Sequence, residues 1–387
     1  MNHKQLAQSV EQYAIDMRRH FHMYPEVSRE EVKTSARICE ELEAMGIPYD
    51  VVGNRNVVGR IECGEGKKIA IRADIDALPM QEEIEWEYMS KIPGVMHSCG
   101  HDAHTACLLA TAKALLQVKD ELSGTIYLCF QIAEETGGNG PQDIIAHLNS
   151  LGGVDQVIST HIFPSLPTGT ISIKKQAMFA GNCKWKLVVT GQGGHGSRPD
   201  NAIDPIRPAA QIMGQIVSIP SNRHNPFSTC VISPCMFNAG TAYNIIPNTA
   251  TIEGNMRTFG SDDASQLIAK MEQMAKNTAA AYGATAEVIV DFAIPPIINH
   301  DKAVDRAVAA AKQCGLNVEM LPLPNMGSDD YSYFTEAYEG FYCFFGAHSD
   351  MPGTSDNNHN SRFFLDESAF AKIVEFFLTC TDNFLHE

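Results

Sequence analysis

With 387 residues and a hydrophobic fraction of 44%, the chain is long enough for two globular domains. Its 46 acidic residues outnumber its 29 basic residues, and the formal net charge of −17 excludes nucleic acid and anionic membrane as favoured partners. The eleven cysteines lack paired spacing, the N-terminus is charged throughout and no apolar run reaches the ~18 residues of a membrane span, so we expect a cytoplasmic location.

Helix and strand patterns alternate through the first half of the chain. The first helix is predicted over 28–45, where Ser28 can cap the N-terminus and Gly46 can end the helix. A strand at 67–74, a second helix at 101–118 and two further strands at 124–131 and 155–160 are predicted to follow. This alternation predicts a largely parallel sheet with helices on its faces.

A different order of elements begins near residue 182. Strand, helix, strand, strand, helix and strand are predicted at 184–191, 202–218, 228–237, 249–259, 262–283 and 284–292. This is the order of a ferredoxin-like sandwich. Pro295 and Pro296 then mark a return to the first pattern, which closes with a helix at 366–385.

The two patterns together predict an α/β fold class with two domains. We expect a discontinuous, mostly parallel-sheet domain made of 1–181 and 295–387, with a ferredoxin-like α+β domain inserted at 182–294. The open sheet edge of such an inserted domain can pair with a second copy of itself. A homodimer is therefore expected.

The densest group of potential metal ligands lies in the segment MHSCGHDAHT (96–105), just before a helix. Its candidate side chains are His97, Cys99, His101, Asp102 and His104. Thiolate and imidazole are preferred ligands of zinc and its neighbours in the transition series. Cys99 and His101 are two residues apart and can converge on one site with the help of a bend at Gly100. The alternative is a polar loop with incidental histidines.

A pair of adjacent carboxylates follows the strand at 124–131. Glu134 and Glu135 stand in FQIAEETGG (130–138), and parallel sheets place their chemistry at the C-terminal ends of strands. One carboxylate can bind a metal while the other acts as a general base toward water. The alternative is a solvated acidic pair at the surface.

Two further loops carry histidines that could join the same site. His161 follows the strand at 155–160 directly, and His359 stands in NNHNSRFF (357–364), ahead of the last helix. Each could instead be an ordinary hydrogen-bonded histidine. With the two preceding groups, however, they place ligand types at several loops of one sheet, which is how a metal site is assembled in this fold class.

Three aspartates near these groups are candidates for a supporting role. Asp74 and Asp76 stand at the end of the strand at 67–74, and Asp102 follows His101. Carboxylates at these positions could be ligands, or acceptors that orient a metal-bound imidazole. Turn residues that end a strand are the alternative for the first two.

The inserted region carries candidates of its own. His195 lies in the glycine-rich segment GQGGHGSRPD, Asn244 lies between two predicted strands, and Arg257 lies in GNMRTF. The imidazole suits a developing oxyanion, and the guanidinium suits a carboxylate as a two-pronged donor. Arg257 could instead pair with an acidic neighbour.

Seven motifs stand in the order seen in the metallo-aminoacylase family, which this chain resembles from about residue 15 to its end. They are MHSCGHDAHT, FQIAEE, THIFPSLPTG, GQGGHGSRPDNAIDP, AGTAYNIIPNTATIEGNMRTF, MGSDDYSYF and NHNSRFF. The family includes hippurate hydrolases, N-acetyl-amino-acid and N-acetyldiaminopimelate deacetylases and indoleacetyl-amino-acid hydrolases, and it forms the carboxypeptidase-like branch of two-metal peptidases. The resemblance implies a catalytic α/β domain with an inserted lid that also dimerises.

The resemblance also implies a role for each candidate. The implied metal ligands are Cys99, His101, Glu135, His161 and His359. They would hold two divalent ions, for which zinc, manganese, cobalt and nickel are all suitable. Glu134 is then the base that activates water. Only the resemblance decides which of the two adjacent glutamates is the base and which is the metal ligand. His195 is implied to stabilise the oxyanion in the neighbouring subunit, and Asn244 and Arg257 to contact the substrate.

Three departures from the family pattern border the implied substrate pocket. Ile132 stands where the family most often has Pro or Ser. Gly196 and Ser197 follow His195, where the family usually continues with two alanines. The segment 329–331 reads Asp-Asp-Tyr instead of Glu-Asp-Phe. These departures remove no implied ligand, but they leave the preferred acyl group and amino acid open.

The residues and the resemblance predict a metal-dependent amidohydrolase that removes the acyl group from N-acyl, in particular N-acetyl, amino acids or similar small amides. One alternative is a dipeptidase or carboxypeptidase of the same family, which would act on free peptides. The other is a metal-binding dimer without catalysis, which would bind metal and hydrolyse none of these compounds.

Overall fold

The fold is that of a computed structural model, which describes residues 2–222, 224–260 and 263–387. The chain forms two compact units. Unit 1 consists of Met1–Met178, Ile298–Leu323 and Asp330–Glu387. Unit 2 consists of Phe179–Ile297 and Pro324–Asp329.

Helices and strands alternate along most of the described chain. The helices are α1 (His3–Ser9), α2 (Glu11–Met23), α3 (Val32–Ala44), α4 (His101–Leu116), α5 (Gly140–Ser150), α6 (Ile206–Asn222), α7 (Asp263–Ala281), α8 (Asp301–Gln313), α9 (Ser332–Ala337) and α10 (Ala369–His386). The strands are β1 (Tyr49–Val52), β2 (Asn56–Glu62), β3 (Lys68–Asp74), β4 (Thr125–Gln131), β5 (Gln156–Phe163), β6 (Thr170–Ile173), β7 (Gln176–Phe179), β8 (Gly181–Thr190), β9 (Gly194–His195), β10 (Cys230–Ala239), β11 (Ile245–Ile246), β12 (Thr249–Thr258), β13 (Thr285–Ile294), β14 (Ile297–Asn299), β15 (Asn317–Met320) and β16 (Gly340–Gly346).

Unit 1 is built on an eight-stranded sheet with the order β1-β2-β4-β3-β5-β16-β6-β15. The four central strands β4, β3, β5 and β16 run parallel to one another. Antiparallel pairs join β1 to β2, β2 to β4 and β16 to β6. The predicted α/β fold class with a mostly parallel sheet is confirmed. Because the central strands are parallel, the loops after them meet at one edge of the sheet.

Helix α4 is buried on nearly every side. Alanine, leucine and threonine form most of its surface, and it packs against α2, α10 and β3. A helix that is apolar all round is expected in the core of a protein. Within the described ranges, the structure contains no helix that combines the length and the hydrophobicity needed to cross a bilayer. The packing of α4 fixes the position of its N-terminus, where His101 lies.

The start of α3 differs from the prediction. The helix begins at Val32, and the carboxylate of Glu26 accepts hydrogen bonds at 2.8 Å from the amides of Lys33 and Thr34. The predicted cap, Ser28, instead donates its hydroxyl hydrogen to Asp76 at 2.6 Å. The assignment of Ser28 as the cap was wrong, because a distant carboxylate takes its hydroxyl and Glu26 satisfies the first amides of the helix.

Unit 2 contains a four-stranded antiparallel sheet with the order β10-β12-β8-β13. Helices α6 and α7 pack against it, and the core between them includes Trp185, Ile212 and Met271. This arrangement confirms the predicted ferredoxin-like sandwich. The predicted start of the second helix, Asp262, lies outside the described residues. A two-stranded ribbon of β9 and β11 is an addition to the sandwich.

Gly254 in β12 should be the least replaceable glycine of the unit 2 core. A Cβ atom at this position would contact the carbonyl oxygen of Ser233 and the indole of Trp185. We expect Gly254→Ala to lower the free energy of unfolding of unit 2 by about 1–3 kcal/mol, because the core has no room for the methyl group. Urea unfolding followed by the fluorescence of Trp185, in a Trp86→Phe background, measures this change.

The matched control is the same substitution at Gly214, in the middle of α6. A Cβ atom there would meet no other atom within 4 Å. Gly214→Ala should raise the free energy of unfolding by up to about 1 kcal/mol, because alanine has the higher helix propensity. A shift of both urea midpoints in the same direction would contradict the steric argument.

Candidate metal centre

The candidate ligands converge at the C-terminal edge of the parallel strands. Cys99 and His101 lie at the start of α4, which follows β3 in the chain. Glu135 follows β4, and His359 lies in the long loop after β16. His161 lies within β5, two residues before its end, and not after the strand as predicted. The strand is longer than its sequence pattern indicated, since β16 pairs with it as far as Phe163.

Two imidazoles face the thiol of Cys99 and are each held by a bond at Nδ1. The Nε2 atom of His161 lies 3.3 Å from the Cys99 sulfur, and Nδ1 of His161 donates to the carbonyl oxygen of Ile162 at 2.7 Å. His101 donates from Nδ1 to the carbonyl oxygen of Asp76 at 2.9 Å. In its neutral form each ring therefore carries the lone pair on Nε2, and that is the form that binds metals.

A second set of ligand atoms shares the same thiol. Cys99, Glu135 and His359 offer ligand atoms that all lie within 4.8 Å of one another, as do Cys99, His101 and His161. His101, Glu134 and Glu135 form a third such group. Cys99 is thus common to the first two groups, and Glu134 stands beside the remaining ligand atoms. The structure brings together all five implied ligands and the implied base.

Several buried polar atoms of this cluster suit a cation. Nε2 of His101 and Oε1 of Glu135 are buried, 4.0 Å apart, and neither has a hydrogen-bond partner among the described residues. Oε1 of Glu135 lies 3.2 Å from Nε2 of His359 in an ion-pair contact. Buried polar atoms rarely go without partners. A thiolate, three imidazoles and a carboxylate are also the donor set of zinc and neighbouring transition metals, so these residues fit a metal site.

The electrostatics of the cluster follow from its burial and its charges. Burial alone would raise the pKa of Cys99, but His161 and His101 hold that pKa well below its usual range. Burial also opposes protonation of His101, whose pKa Asp74 and Cys99 nevertheless raise well above its usual value. Burial and the charge of Cys99 raise the pKa of Glu135 to about 7. The neighbouring Cys99 and Glu135 raise the pKa of His359 to about 10.

The backbone is strained at two positions of the cluster. Ala133, just before Glu134, has φ +59°, and His359 also has φ +59°. Residues other than glycine adopt such angles at a cost, and they cluster at functional sites. The amide of Ala133 donates to Glu31 at 2.8 Å, and the amide of His359 donates to the carbonyl oxygen of Ser98 at 2.8 Å. These bonds hold the two strained turns against the Cys99 loop and α3.

Asp74 and Asp76 contact the imidazoles as acceptors. Asp76 lies 3.2 Å from Nδ1 of His101, and its other oxygen accepts from the amide of Glu135 at 3.0 Å. Asp74 accepts from Nδ1 of His104 at 2.6 Å and from Arg72 at 2.8 Å. These are the contacts expected of carboxylates that orient other groups.

His104, which the sequence offered as a potential ligand, has both ring nitrogens occupied. Its Nδ1 donates to Asp74, and its Nε2 accepts from the amide of Ile162 at 2.8 Å. An acceptor at Nε2 requires the neutral ring, and burial indeed lowers the pKa of His104. His104 therefore joins α4 to the end of β5, next to His161, and is unsuited to hold a metal.

Asp102 was expected to orient a metal-bound imidazole, but its carboxylate contacts Arg18 and His22. Its carboxylate lies 3.0 Å from Nε of Arg18 and 2.7 Å from Nδ1 of His22, both on α2 and fully buried. His22 also lies 3.2 Å from Glu82. Asp102 thus belongs to a buried charge network that joins α2 to the start of α4.

Sequence reasoning missed Arg18, His22 and Arg72 in these networks. The spacing of Arg18 and His22 places them on one face of α2, which was the available signal. Their segment is rich in charge, however, and such helices usually lie at the surface. His97, another candidate ligand, is buried with neither ring nitrogen hydrogen-bonded to a described residue, and burial lowers its pKa to about 4.

The remaining candidates lie in unit 2. His195 in β9 pairs with Ile245 in β11, and Asn244 directly precedes that strand. Together with Asn238 they line an open cavity of about 970 Å³. Arg257 lies in β12, where its buried Nη1 atom has no hydrogen-bond partner among the described residues. The acidic partner considered for Arg257 is thus not found within the described chain.

Comparisons with known proteins agree with this geometry. The profile of peptidase family M20/M25/M40 matches residues 70–383. An N-acetylcysteine deacetylase of Bacillus subtilis (strain 168) is 36% identical over 372 residues, which cover 94% of each chain. Thermostable carboxypeptidase 1 of Saccharolobus solfataricus is 36% identical over 362 residues, or 92% of each chain. The crystal structure of the Bacillus subtilis YXEP protein, described as a dinuclear metal binding peptidase from the M20 family, has a TM-score of 0.84 and 32% identity, with 98% of this chain and 99% of that chain covered.

Proposed function

This chain belongs to peptidase family M20/M25/M40, and from that membership we propose that it is a metal-dependent amidohydrolase that releases the acyl group, in particular acetyl, from N-acyl amino acids. The observation that carries the proposal is the convergence of a thiol, three imidazoles and two adjacent glutamates at one sheet edge. The relative named N-acetylcysteine deacetylase supports an N-acetyl amino acid as the substrate class. An enzyme acting on amide bonds is consistent with every relative named above.

We assign the metal-holding role to the two groups that share Cys99. Cys99, His101 and His161 would hold one divalent ion, and Cys99, Glu135 and His359 would hold a second. Cys99 belongs to both groups of ligand atoms. Zinc, manganese, cobalt and nickel suit this donor set. When bound, these ions supply Lewis acidity, which polarises the amide carbonyl and makes a water molecule more acidic.

Glu134 is assigned the proton transfer. As a general base it removes the proton of the attacking water, and as the conjugate acid it delivers that proton to the leaving nitrogen. Its neighbour Glu135 has the carboxylate oxygen that faces His101 and His359, which supports the division of roles between the two residues. Asp76 orients His101, so the ligand keeps the tautomer with a lone pair on Nε2.

Unit 2 is assigned the role of a lid and the contacts to the substrate. We propose that His195 donates a hydrogen bond to the oxyanion and that Asn244 and Arg257 bind the substrate carboxylate or carbonyl. Arg257 and Thr249 are eight residues apart on β12, or roughly 25 Å at ~3.3 Å per residue. The ribbon with His195 follows the Thr249 end of the sheet.

Arg257 lies near one end of the four-stranded sheet, whereas the ribbon with His195 follows the other end, and this separation supports a homodimer. A small substrate cannot touch both ends of a sheet of that length. We therefore propose that His195 of one copy serves the site of the other copy. The exposed edge strand β10, with Met236 and Phe237 at the surface, offers a surface for such pairing.

A carboxypeptidase is the second candidate function, because one relative is named thermostable carboxypeptidase 1. Such an enzyme would use the same cluster and differ in the group that precedes the scissile bond. The distinction lies in the substrate, and turnover of defined compounds separates the two.

The test is turnover by metal-stripped enzyme reloaded in turn with zinc, manganese, cobalt and nickel. The panel contains N-acetyl amino acids, N-blocked dipeptides and free dipeptides. We expect stripping to abolish turnover, reloading to restore it, and N-acetyl amino acids to give the highest kcat/KM. Full activity of enzyme verified as metal-free would contradict the proposed function. A preference for N-blocked dipeptides would favour the carboxypeptidase.

A further inference from the structure

The ring of His195 is held by the residues that follow it. The amide of Arg198 donates to the carbonyl oxygen of His195 at 2.8 Å, which closes a tight turn over 195–198. The amide of Gly196 donates to the carbonyl oxygen of Asn244 at 2.8 Å, and a Cβ atom at Gly196 would lie 3.1 Å from that oxygen. The turn is therefore fixed to the ribbon, and it needs a small residue after His195.

This turn places two donors of Ser197 against one nitrogen of the imidazole. The amide of Ser197 lies 3.1 Å from Nδ1 of His195, and the hydroxyl oxygen of Ser197 lies 2.9 Å from the same atom. A backbone amide can only donate, so Nδ1 must carry a lone pair. The hydroxyl, facing a nitrogen without hydrogen, must also donate. The proton of the neutral ring is then on Nε2.

We infer that Ser197 is a positioning residue, whose amide and hydroxyl fix His195 in the Nε2–H tautomer and so make the ring a hydrogen-bond donor toward the substrate oxyanion. The inference rests on the oxyanion role proposed for His195. An acyl carbonyl that becomes an oxyanion needs a donor at the end of the ring, and the other tautomer would present a lone pair to it. Any residue at position 197 could donate from its backbone amide. In this chain the hydroxyl of Ser197 adds a second donor.

The consequence is measurable because the two donors of Ser197 can be separated. Ser197→Ala removes the hydroxyl and keeps the amide, whereas Ser197→Thr keeps both. We expect Ser197→Ala to lower kcat about 2- to 10-fold, the size of one hydrogen bond, with KM, metal content and melting temperature unchanged. Ser197→Thr should restore kcat. Ser221→Ala, which removes another exposed hydroxyl of unit 2, should turn over like the unaltered enzyme.

A double-mutant cycle tests whether Ser197 acts through His195. His195→Ala alone should lower kcat about 10²- to 10³-fold, as loss of an oxyanion donor does. If Ser197 acts only on the ring, adding Ser197→Ala to His195→Ala should change kcat no further. The substrate is the N-acetyl amino acid with the highest kcat/KM in the panel described above.

The outcomes separate this inference from the proposed function. A full effect of Ser197→Ala in the His195→Ala background, or none in the unaltered enzyme, would overturn the inference and leave the hydrolase assignment standing. Unaltered turnover of His195→Ala would overturn the oxyanion role and the inference together. NMR of the enzyme labelled with ¹⁵N-histidine gives a reading without substrate: a proton on Nδ1 of the neutral His195 ring would overturn the tautomer.

Discussion

Glu134→Gln is expected to lower kcat about 10²- to 10⁴-fold while the enzyme keeps its bound metal. The amide has nearly the shape of the carboxylate, but it cannot accept the proton of the attacking water or return a proton to the leaving nitrogen. Glu134 shares a group of ligand atoms with His101 and Glu135 and is absent from the two groups that contain Cys99. Steady-state kinetics and elemental analysis of the same preparation measure the two quantities.

The adjacent residue provides a matched control. Glu135→Gln changes the same chemical group one residue away, at the carboxylate that faces His101 and His359. We expect this variant to lose bound metal and, with it, turnover. Equal metal loss in both variants would show that the two glutamates do not divide the roles as proposed. Undiminished kcat in Glu134→Gln would remove that residue from the mechanism.

Asp102→Ala is expected to lower the free energy of unfolding of unit 1 by about 3–5 kcal/mol. The substitution leaves the charge of Arg18, whose side chain is 0% exposed, without its closest carboxylate, 3.0 Å away. It also removes the partner of His22 at 2.7 Å. Breaking a buried ion pair costs far more than breaking an exposed pair, because the remaining charge stays out of water.

Asp305→Ala is the control for this measurement within the same unit. Asp305 pairs with Lys175 at 2.6 Å, but the two side chains are 65% and 40% exposed. The loss of this pair should cost less than about 1 kcal/mol. Urea unfolding followed by Trp86 fluorescence, in a Trp185→Phe background, compares the variants. Similar midpoints for both would mean that the buried network contributes no more than a surface pair.

The sequence pattern predicted the helices and strands whose hydrophobic residues follow a regular period. It also predicted the functional side chains at the ends of the strands. β3 and β4 read as buried runs, so Glu134, Glu135 and the aspartates of β3 could be placed at a sheet edge before the structure was known. The order of elements in unit 2 also follows from alternating patterns. The division of roles between Glu134 and Glu135 could not be read in this way, because the two residues are chemically identical neighbours.

Interactions between distant segments could not be predicted from local pattern. Arg18 is buried because Asp102 and Glu367 compensate its charge, and these residues are far apart in the chain. Ser28 was assigned a local role, but Asp76 takes its hydroxyl. His104 was counted among potential ligands, yet the carboxylate of Asp74 and the amide of Ile162 use both of its nitrogens. In each case the deciding partner is remote in sequence.

The position of β16 in the sheet of unit 1 has a consequence for synthesis on the ribosome. This strand is the last of the sheet to be made, yet it lies between β5 and β6. After β6 has emerged, unit 2 must be translated before β16 can emerge. At ~5–20 residues per second this delay is on the order of 10–30 s. During that interval β5 keeps an open edge rich in isoleucine and valine, which is prone to pair with other nascent chains. Unit 2 can form its own sheet in the meantime, since all four of its strands precede β16.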